Sequence, residues 1–285
     1  MRHFVFLLLV LLTAQPLLAQ KDKPAYQLFT ANGKKTSYGK MMKTLSGKDI
    51  ILFGEYHNNA IAHWLQLEVT RDLGVNRQLV LGAEMFEADN QEPLDRYLAG
   101  EIDAKGLDTL ARLWSNYKTD YAPLVNLAKE RGWPFIATNI PRRFASGVAQ
   151  EGWPALDSLS ELEKTWVAPL PIPYDPELPG YKGMIEMMGG HGGETFPMAQ
   201  ASKDATMGHF ILKGFQAGKP FIHYNGAYHS DNYEGILWYL QRERPDLRYA
   251  TITTVTQADL SRLDKEHLNR ADFILVVDED MTPTY

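Results

Sequence analysis

Residues 49–57 read Asp49-Ile50-Ile51-Leu52-Phe53-Gly54-Glu55-Tyr56-His57. A short apolar run that ends in glycine and turns polar at once is the pattern of a strand buried on both faces. Asn58 or Asn59 then caps a helix, in which Ile61, Trp64, Leu65, Glu68 and Val69 recur at helical spacing until Gly74 stops it. The same alternation continues along the chain. Gln78–Glu84, Pro134–Asn139, Lys219–Asn225, Tyr249–Thr256 and Phe273–Asp278 read as strands. Helices are predicted around Asp89–Leu98, Gly106–Trp114, Tyr121–Arg131, after Pro141, near Ser158–Trp166, over Phe196–Gln216 and over Asp231–Arg244. This order predicts an α/β fold, a mostly parallel sheet flanked by helices. Helix-rich stretches at about 89–131 and 153–217 predict a small inserted helical subdomain within a single domain of residues 20–285. Between Trp153 and Gly193 stand Pro154, Pro169, Pro171, Pro173, Pro176 and Pro179, then Gly189-Gly190-His191-Gly192-Gly193. One short helix followed by an irregular loop is expected there.

The composition is that of a globular protein: 285 residues, 45% hydrophobic and 22% charged. A net charge of −6 argues against a nucleic-acid partner. Cysteine is absent, which excludes disulfides, thiolate nucleophiles, Cys-ligated zinc and iron–sulfur clusters. At the start of the chain, Arg2 and His3 precede the apolar run Phe4–Leu12, and a looser stretch closes at Leu17-Leu18-Ala19. This reads as a signal peptide of residues 1–19, because the run is too short to span a bilayer. The mature chain is therefore expected to be exported, periplasmic or secreted, and soluble. Without a cysteine at the cleavage site it is not expected to be a lipoprotein, and no later apolar run is long enough for a transmembrane segment.

Polar residues collect where the strands end. The first strand finishes Gly54-Glu55-Tyr56-His57, the second at Glu84 with Glu87 beyond, the third Asn139-Ile140-Pro141-Arg142-Arg143, and the fourth Asn225-Gly226-Ala227-Tyr228-His229. In open α/β sheets ligands bind beyond the carboxyl ends of the strands. Two turns share the pattern Gly-x-Tyr-His. Their glycines are expected to permit sharp turns, and the following helix N-termini are expected to favour neutral imidazole at His57 and His229. A single such turn is a weak signal. Two of them, with carboxylates and arginines on the intervening strand ends, predict a site in which His57, Glu84 and His229 converge. Arg142 and Arg143, two cations at a helix start where the dipole opposes them, are expected to serve an anion.

These residues resemble a known family. GEYH at 54–57 and GAYH at 226–229, with GAEMFE at 82–87 between them, are similar to the Tiki/TraB/erythromycin-esterase-like superfamily, and most of all to the ChaN-type haem-binding uptake proteins. Trp114–Tyr117 with Tyr121–Leu124, the segment Asn139–Arg143, and Met198-Ala199-Gln200 with Asp204 and Met207 resemble that branch. The resemblance covers about residues 45–245. It implies an α/β core with a helical subdomain, export, and a role in iron or haem acquisition. Carried over by position, the paired histidines are His57 and His229 and the acidic residue is Glu84, with Glu55 beside it.

Two functions follow. Haem binding needs an axial ligand, an apolar slot and cations for the propionates. The segment Tyr174–Phe196 offers Tyr174, Tyr181 and His191 as ligands, Tyr181 slightly preferred, and Met184, Met187 and Met188 as lining; Arg143 is a candidate partner for haem carboxylates. The alternative is a metal-dependent hydrolase of protease or esterase type. In it His57, Glu84 and His229 hold a divalent metal, and Glu55, His57, Glu84, Arg142 and His229 form the catalytic set. Without metal, a His–Glu pair can activate water directly. Neither HExxH nor GxSxG occurs in the chain. The expected partner is haem or another small anionic ligand, and a homodimer is among the assemblies allowed.

Overall fold

A computed structural model describes residues 23–187 and 193–285. The described residues form one eight-stranded sheet: β1 Tyr26–Thr30, β2 Lys35–Thr36, β3 Ile50–Glu55, β4 Val80–Glu87, β5 Phe135–Asn139, β6 Phe221–Gly226, β7 Tyr249–Gln257 and β8 Phe273–Asp278. The strand order is β2-β1-β8-β7-β3-β6-β4-β5. The six strands from β8 to β5 are parallel, and β1 and β2 extend one edge antiparallel. These two N-terminal strands were not expected, because β2 has only two residues and β1 alternates weakly, with only Leu28 and Phe29 buried.

β3 is buried along its whole length, as its unbroken apolar run requires. Ile51 and Phe53 pack on one face with Leu65 and Val69 of the helix Ala60–Leu73. Ile50 and Leu52 pack on the other face with Ile211 and Leu240, from the helices Thr195–Gly214 and Ile236–Glu243. The helix after β3 and the helix after β6 therefore cover opposite faces, although the two strands are hydrogen-bonded neighbours. The chain diverges between them, and this is the geometry that opens a crevice at strand carboxyl ends. The Asn59 side chain accepts from Ala62 N at 2.9 Å to cap the first of these helices, a contact worth about 1 kcal/mol.

A separate apolar cluster of Ile140, Phe144, Val148, Leu156, Val167 and Ile172 marks the helical subdomain beside the sheet. Within it, the segment after residue 174 is not an irregular loop. Pro179–Met187 is a helix, begun by a proline whose fixed φ suits the first turn and held by buried Tyr181 and Met184, which pack with Ala201. The predicted helix to Trp114 stops at Leu110, after an Asp103 cap on Gly106 N at 2.8 Å. Residues 1–19 and His191 lie outside the described residues. Among those described, no helix is long and apolar enough to cross a membrane.

Candidate functional site

The register places the two Gly-x-Tyr-His turns side by side: Gly54 pairs with Asn225 and Glu55 with Gly226. Glu84 comes from β4 on the far side of β6, and its Oε2 accepts from Gly226 N at 2.7 Å. The role of the glycines differs from the expectation. Gly226 has an ordinary φ of −55°. What requires glycine is close approach. A Cβ there would lie 2.9 Å from His57 Nε2 and 3.4 Å from Glu84 Oε2, and one at Gly54 would lie 2.9 Å from Ala227 Cα. His57 and Glu84 thus meet over the α-carbon of Gly226.

Behind His57 stands Glu55, only 1% exposed. Its Oε1 accepts from His57 Nδ1 at 2.9 Å and from the Tyr121 hydroxyl at 2.7 Å. Its Oε2 accepts from Gln66 Nε2 at 2.5 Å and lies 3.3 Å from His63 Nδ1, an ion-pair distance. A carboxylate buried without such partners would cost several kcal/mol. Burial pushes the Glu55 carboxyl up, but His57 and His63 outweigh it and bring it down to about 2. Burial lowers the His63 imidazole, and Glu55 reverses this, carrying it up to about 9.

On the other side, His229 is 5% exposed and both ring nitrogens face carboxylates. Nε2 lies 3.2 Å from Glu84 Oε1, and Nδ1 lies 2.5 Å from Asp204 Oδ1. Asp204 Oδ2 accepts from the Tyr181 hydroxyl at 3.0 Å. Burial lowers the His229 imidazole, but Glu84 and Asp204 prevail and push it up to about 10. The Glu84 carboxyl is raised by burial and held well below the usual carboxylate range by His229 and His57. His57 is also raised, because Glu55 and Glu84 outweigh its own desolvation. Both imidazoles are thus shifted towards holding a proton, the opposite of the direction expected. His229 sits in 3-10 turns rather than at a regular helix N-terminus, and two buried carboxylates act on it far more strongly than peptide dipoles.

The structure brings Glu55, His57, Glu84 and His229 together, yet the donor set does not fit the expected metal. Both nitrogens of His229 are engaged by carboxylates, and no group of His, Asp or Glu among the described residues is arranged to hold a metal ion. Arg143 does not stand free for an anion: it pairs with Asp89 at 2.7 Å, and Asp89 also pairs with Arg112. Arg142 is exposed and has no ion pair among the described residues. Tyr181 is buried at 4% exposure and committed to Asp204, so burial and that carboxylate raise its phenol far above the ordinary value. Tyr174 is half-buried, with ring centroids 5.5 Å from Trp153 and 5.6 Å from Tyr181.

Five site residues had no role assigned from the sequence: His63, Gln66, Tyr121, Asp204 and Asp120, whose Oδ2 lies 3.5 Å from His63 Nε2. His63, Gln66 and Thr70 are buried polar residues at i, i+3 and i+7 on one helix face, a stripe where apolar residues belong. Asp204 stands among Ala201, Ala205 and Met207 in a largely buried helix, the same signal from a single residue.

A parallel sheet covered on both faces, with histidine–carboxylate clusters where β3, β4 and β6 end, defines an α/β protein with its buried charges gathered at the strand ends. The chain belongs to the haem-binding uptake family of the Tiki superfamily, ChaN, whose family model matches residues 41–240. Its fold is similar to that of a ChaN of Campylobacter jejuni described with cofacial haem binding, at 17% identity and a TM-score of 0.66 over 89% of this chain and 97% of that one. It is also similar to a succinoglycan biosynthesis protein, at 12% identity and a TM-score of 0.53 over 84% of this chain and 90% of that one. A curated relative, the chloroplastic RETICULATA-RELATED 5 of Arabidopsis thaliana, is 31% identical over 111 residues. That match takes 37% of this chain and spans only 15% of the plant protein.

Proposed function

We propose that this chain binds haem in an exported step of haem or iron uptake, with the porphyrin against the aromatic surface around the helix Pro179–Met187. Family membership and the shared fold support the reading. The observation that carries it is the Tyr174 phenol. It is half-buried among Trp153, Leu178 and Tyr181, and its hydroxyl has no hydrogen-bond partner among the described residues. The donor chemistry fits: a phenol oxygen suits ferric haem iron, and aromatic side chains suit a porphyrin face. Tyr228, 42% exposed, adds aromatic surface beside the same helix, and its hydroxyl donates to the Gly180 carbonyl. Tyr174 replaces Tyr181 as the preferred ligand, since the Tyr181 hydroxyl faces inward onto Asp204. Absorbance titration with haem tests this. The unaltered chain and Tyr181→Phe should both give a Soret band with a phenolate-type charge-transfer feature, and Tyr174→Phe should lose that feature. No Soret change in the unaltered chain would overturn the reading.

One observation supports a second activity, hydrolysis. His57 is the member of the cluster with solvent access, its side chain 33% exposed, and Glu55 orients it from behind at 2.9 Å. A carboxylate–imidazole pair open to water is the arrangement of a general base. Release of a chromogenic ester by the unaltered chain, lost in both His57→Ala and Glu55→Gln, would support it.

A further inference from the structure

We propose that the cavity between the proline-rich segment 168–173 and the helices Thr195–Gly214 and Ile236–Glu243 is a second small-molecule site, for an apolar compound carrying one acid group. The cavity has a volume of about 540 Å³, within the usual range for drug-sized ligands. It borders the second half of the helix Thr195–Gly214, at Gly208, Leu212 and Lys213, whereas the strand-end site uses Gln200 and Asp204 from the first half.

The wall is preformed. Pro169, Pro171 and Pro173 lack backbone N–H groups, so the segment cannot collapse into a helix or strand that would fill the space. It is pinned at both ends: Ala168 N donates to Thr206 Oγ1 at 3.2 Å, and the Tyr239 hydroxyl donates to the Pro173 carbonyl at 2.8 Å. Leu170, Pro171, Leu212 and Tyr239 supply apolar surface that forfeits dispersion contacts while nothing packs against it.

Charge stands at the rim. Lys213 and Arg242 both border the cavity, and neither has a carboxylate partner among the described residues. Each lies over an aromatic ring instead, Lys213 Nζ 5.2 Å from the Phe210 centroid and Arg242 Cζ 4.5 Å from that of Trp238. Cations in the last turn of a helix are ordinary complements of its dipole. Here two of them, from two helices, meet over one apolar cavity. Glu243 and His209 also border it, and burial together with Lys213 lowers the His209 imidazole. One net positive charge remains, which suits a monoanion.

The test is displacement of 8-anilinonaphthalene-1-sulfonate fluorescence by decanoate and, as the uncharged control, decanol. Decanoate should bind the unaltered chain more tightly than decanol. Charge reversal of both exposed cations, Lys213→Glu with Arg242→Glu, should weaken decanoate about tenfold or more, equivalent to about 1.4 kcal/mol, and leave decanol unchanged. Leu212→Trp, which fills the cavity, should weaken both. Circular dichroism of each variant verifies folding, and haem titration of the double variant should match the unaltered chain, which separates this site from the haem reading. No displacement at millimolar decanoate, or decanoate affinity indifferent to both the charge reversal and Leu212→Trp, would overturn the proposal.

Discussion

The Tyr181 hydroxyl donates to Asp204 Oδ2, and the other oxygen of that carboxylate holds His229 Nδ1. The helix Pro179–Met187 is thereby tied to the end of β6, and the aromatic surface and the strand-end cluster form one continuous structure. Tyr181→Phe removes one donor from a buried carboxylate and should cost about 1–3 kcal/mol. Urea unfolding measures the loss, with haem binding retained. Intact stability together with abolished haem binding would make Tyr181 an iron ligand and refute its structural role.

Gly226→Ala should be costly although Gly226 has an ordinary φ. The added methyl meets His57 Nε2 at 2.9 Å in a packed site, and overpacking of this kind costs about 1–3 kcal/mol. The His57 ring resonances should shift in an NMR spectrum of the variant. Unchanged resonances would mean that the turn has room the geometry denies.

Arg142 and Arg143 should behave differently. Arg142→Ala should alter stability by less than about 0.5 kcal/mol, as a surface change without partners does. Arg143→Ala breaks the Asp89 pair and its contact over Phe144, a half-exposed arrangement worth up to about 1 kcal/mol. Thermal unfolding distinguishes them. If an anion binds this rim, Arg142→Ala should be the variant that weakens it, and equal loss from both would reinstate Arg143 as an anion partner.

Stability should also depend on His223. Its Nε2 lies 2.7 Å from Thr138 Oγ1 and its Nδ1 3.1 Å from Asn225 Oδ1, in full burial. Burial lowers its imidazole from the ordinary 6.5 to about 4. Between those values the unfolded chain binds the proton and the folded one does not. The stabilisation is therefore complete above pH 6.5 and is lost as pH falls towards 4, by about 3 kcal/mol in all. Unfolding free energies from pH 7 to 4 should show this slope, and His223→Leu should flatten it. Parallel curves for the two proteins would remove His223 as the cause.

The six parallel strands were legible because they are short runs of apolar, aromatic and β-branched residues, most clearly Ile50–Phe53 before Gly54. The pairing of His57 with His229 was legible from their repeated turn. Other features depend on what folding brings near. Tyr174 and Tyr181 look equivalent in sequence, and only the position of Asp204 in the middle of the helix Thr195–Gly214 turns one inward. Arg143 is neutralised by Asp89, 54 residues away in sequence. The raised imidazole of His229 could not be read from its turn, since its carboxylates come from β4 and from the helix Thr195–Gly214.

The placement of β6 between β3 and β4 has a temporal meaning. Glu84 reaches Gly226 across 142 residues of chain, so the link from Glu84 to the second Gly-x-Tyr-His turn forms only after the last third of the protein has been made and β6 has inserted. Contacts of such long sequence separation form late and slowly. A nascent or partly unfolded chain therefore lacks the Glu84–Gly226 contact, and the appearance of that contact reports that β6 has taken its place.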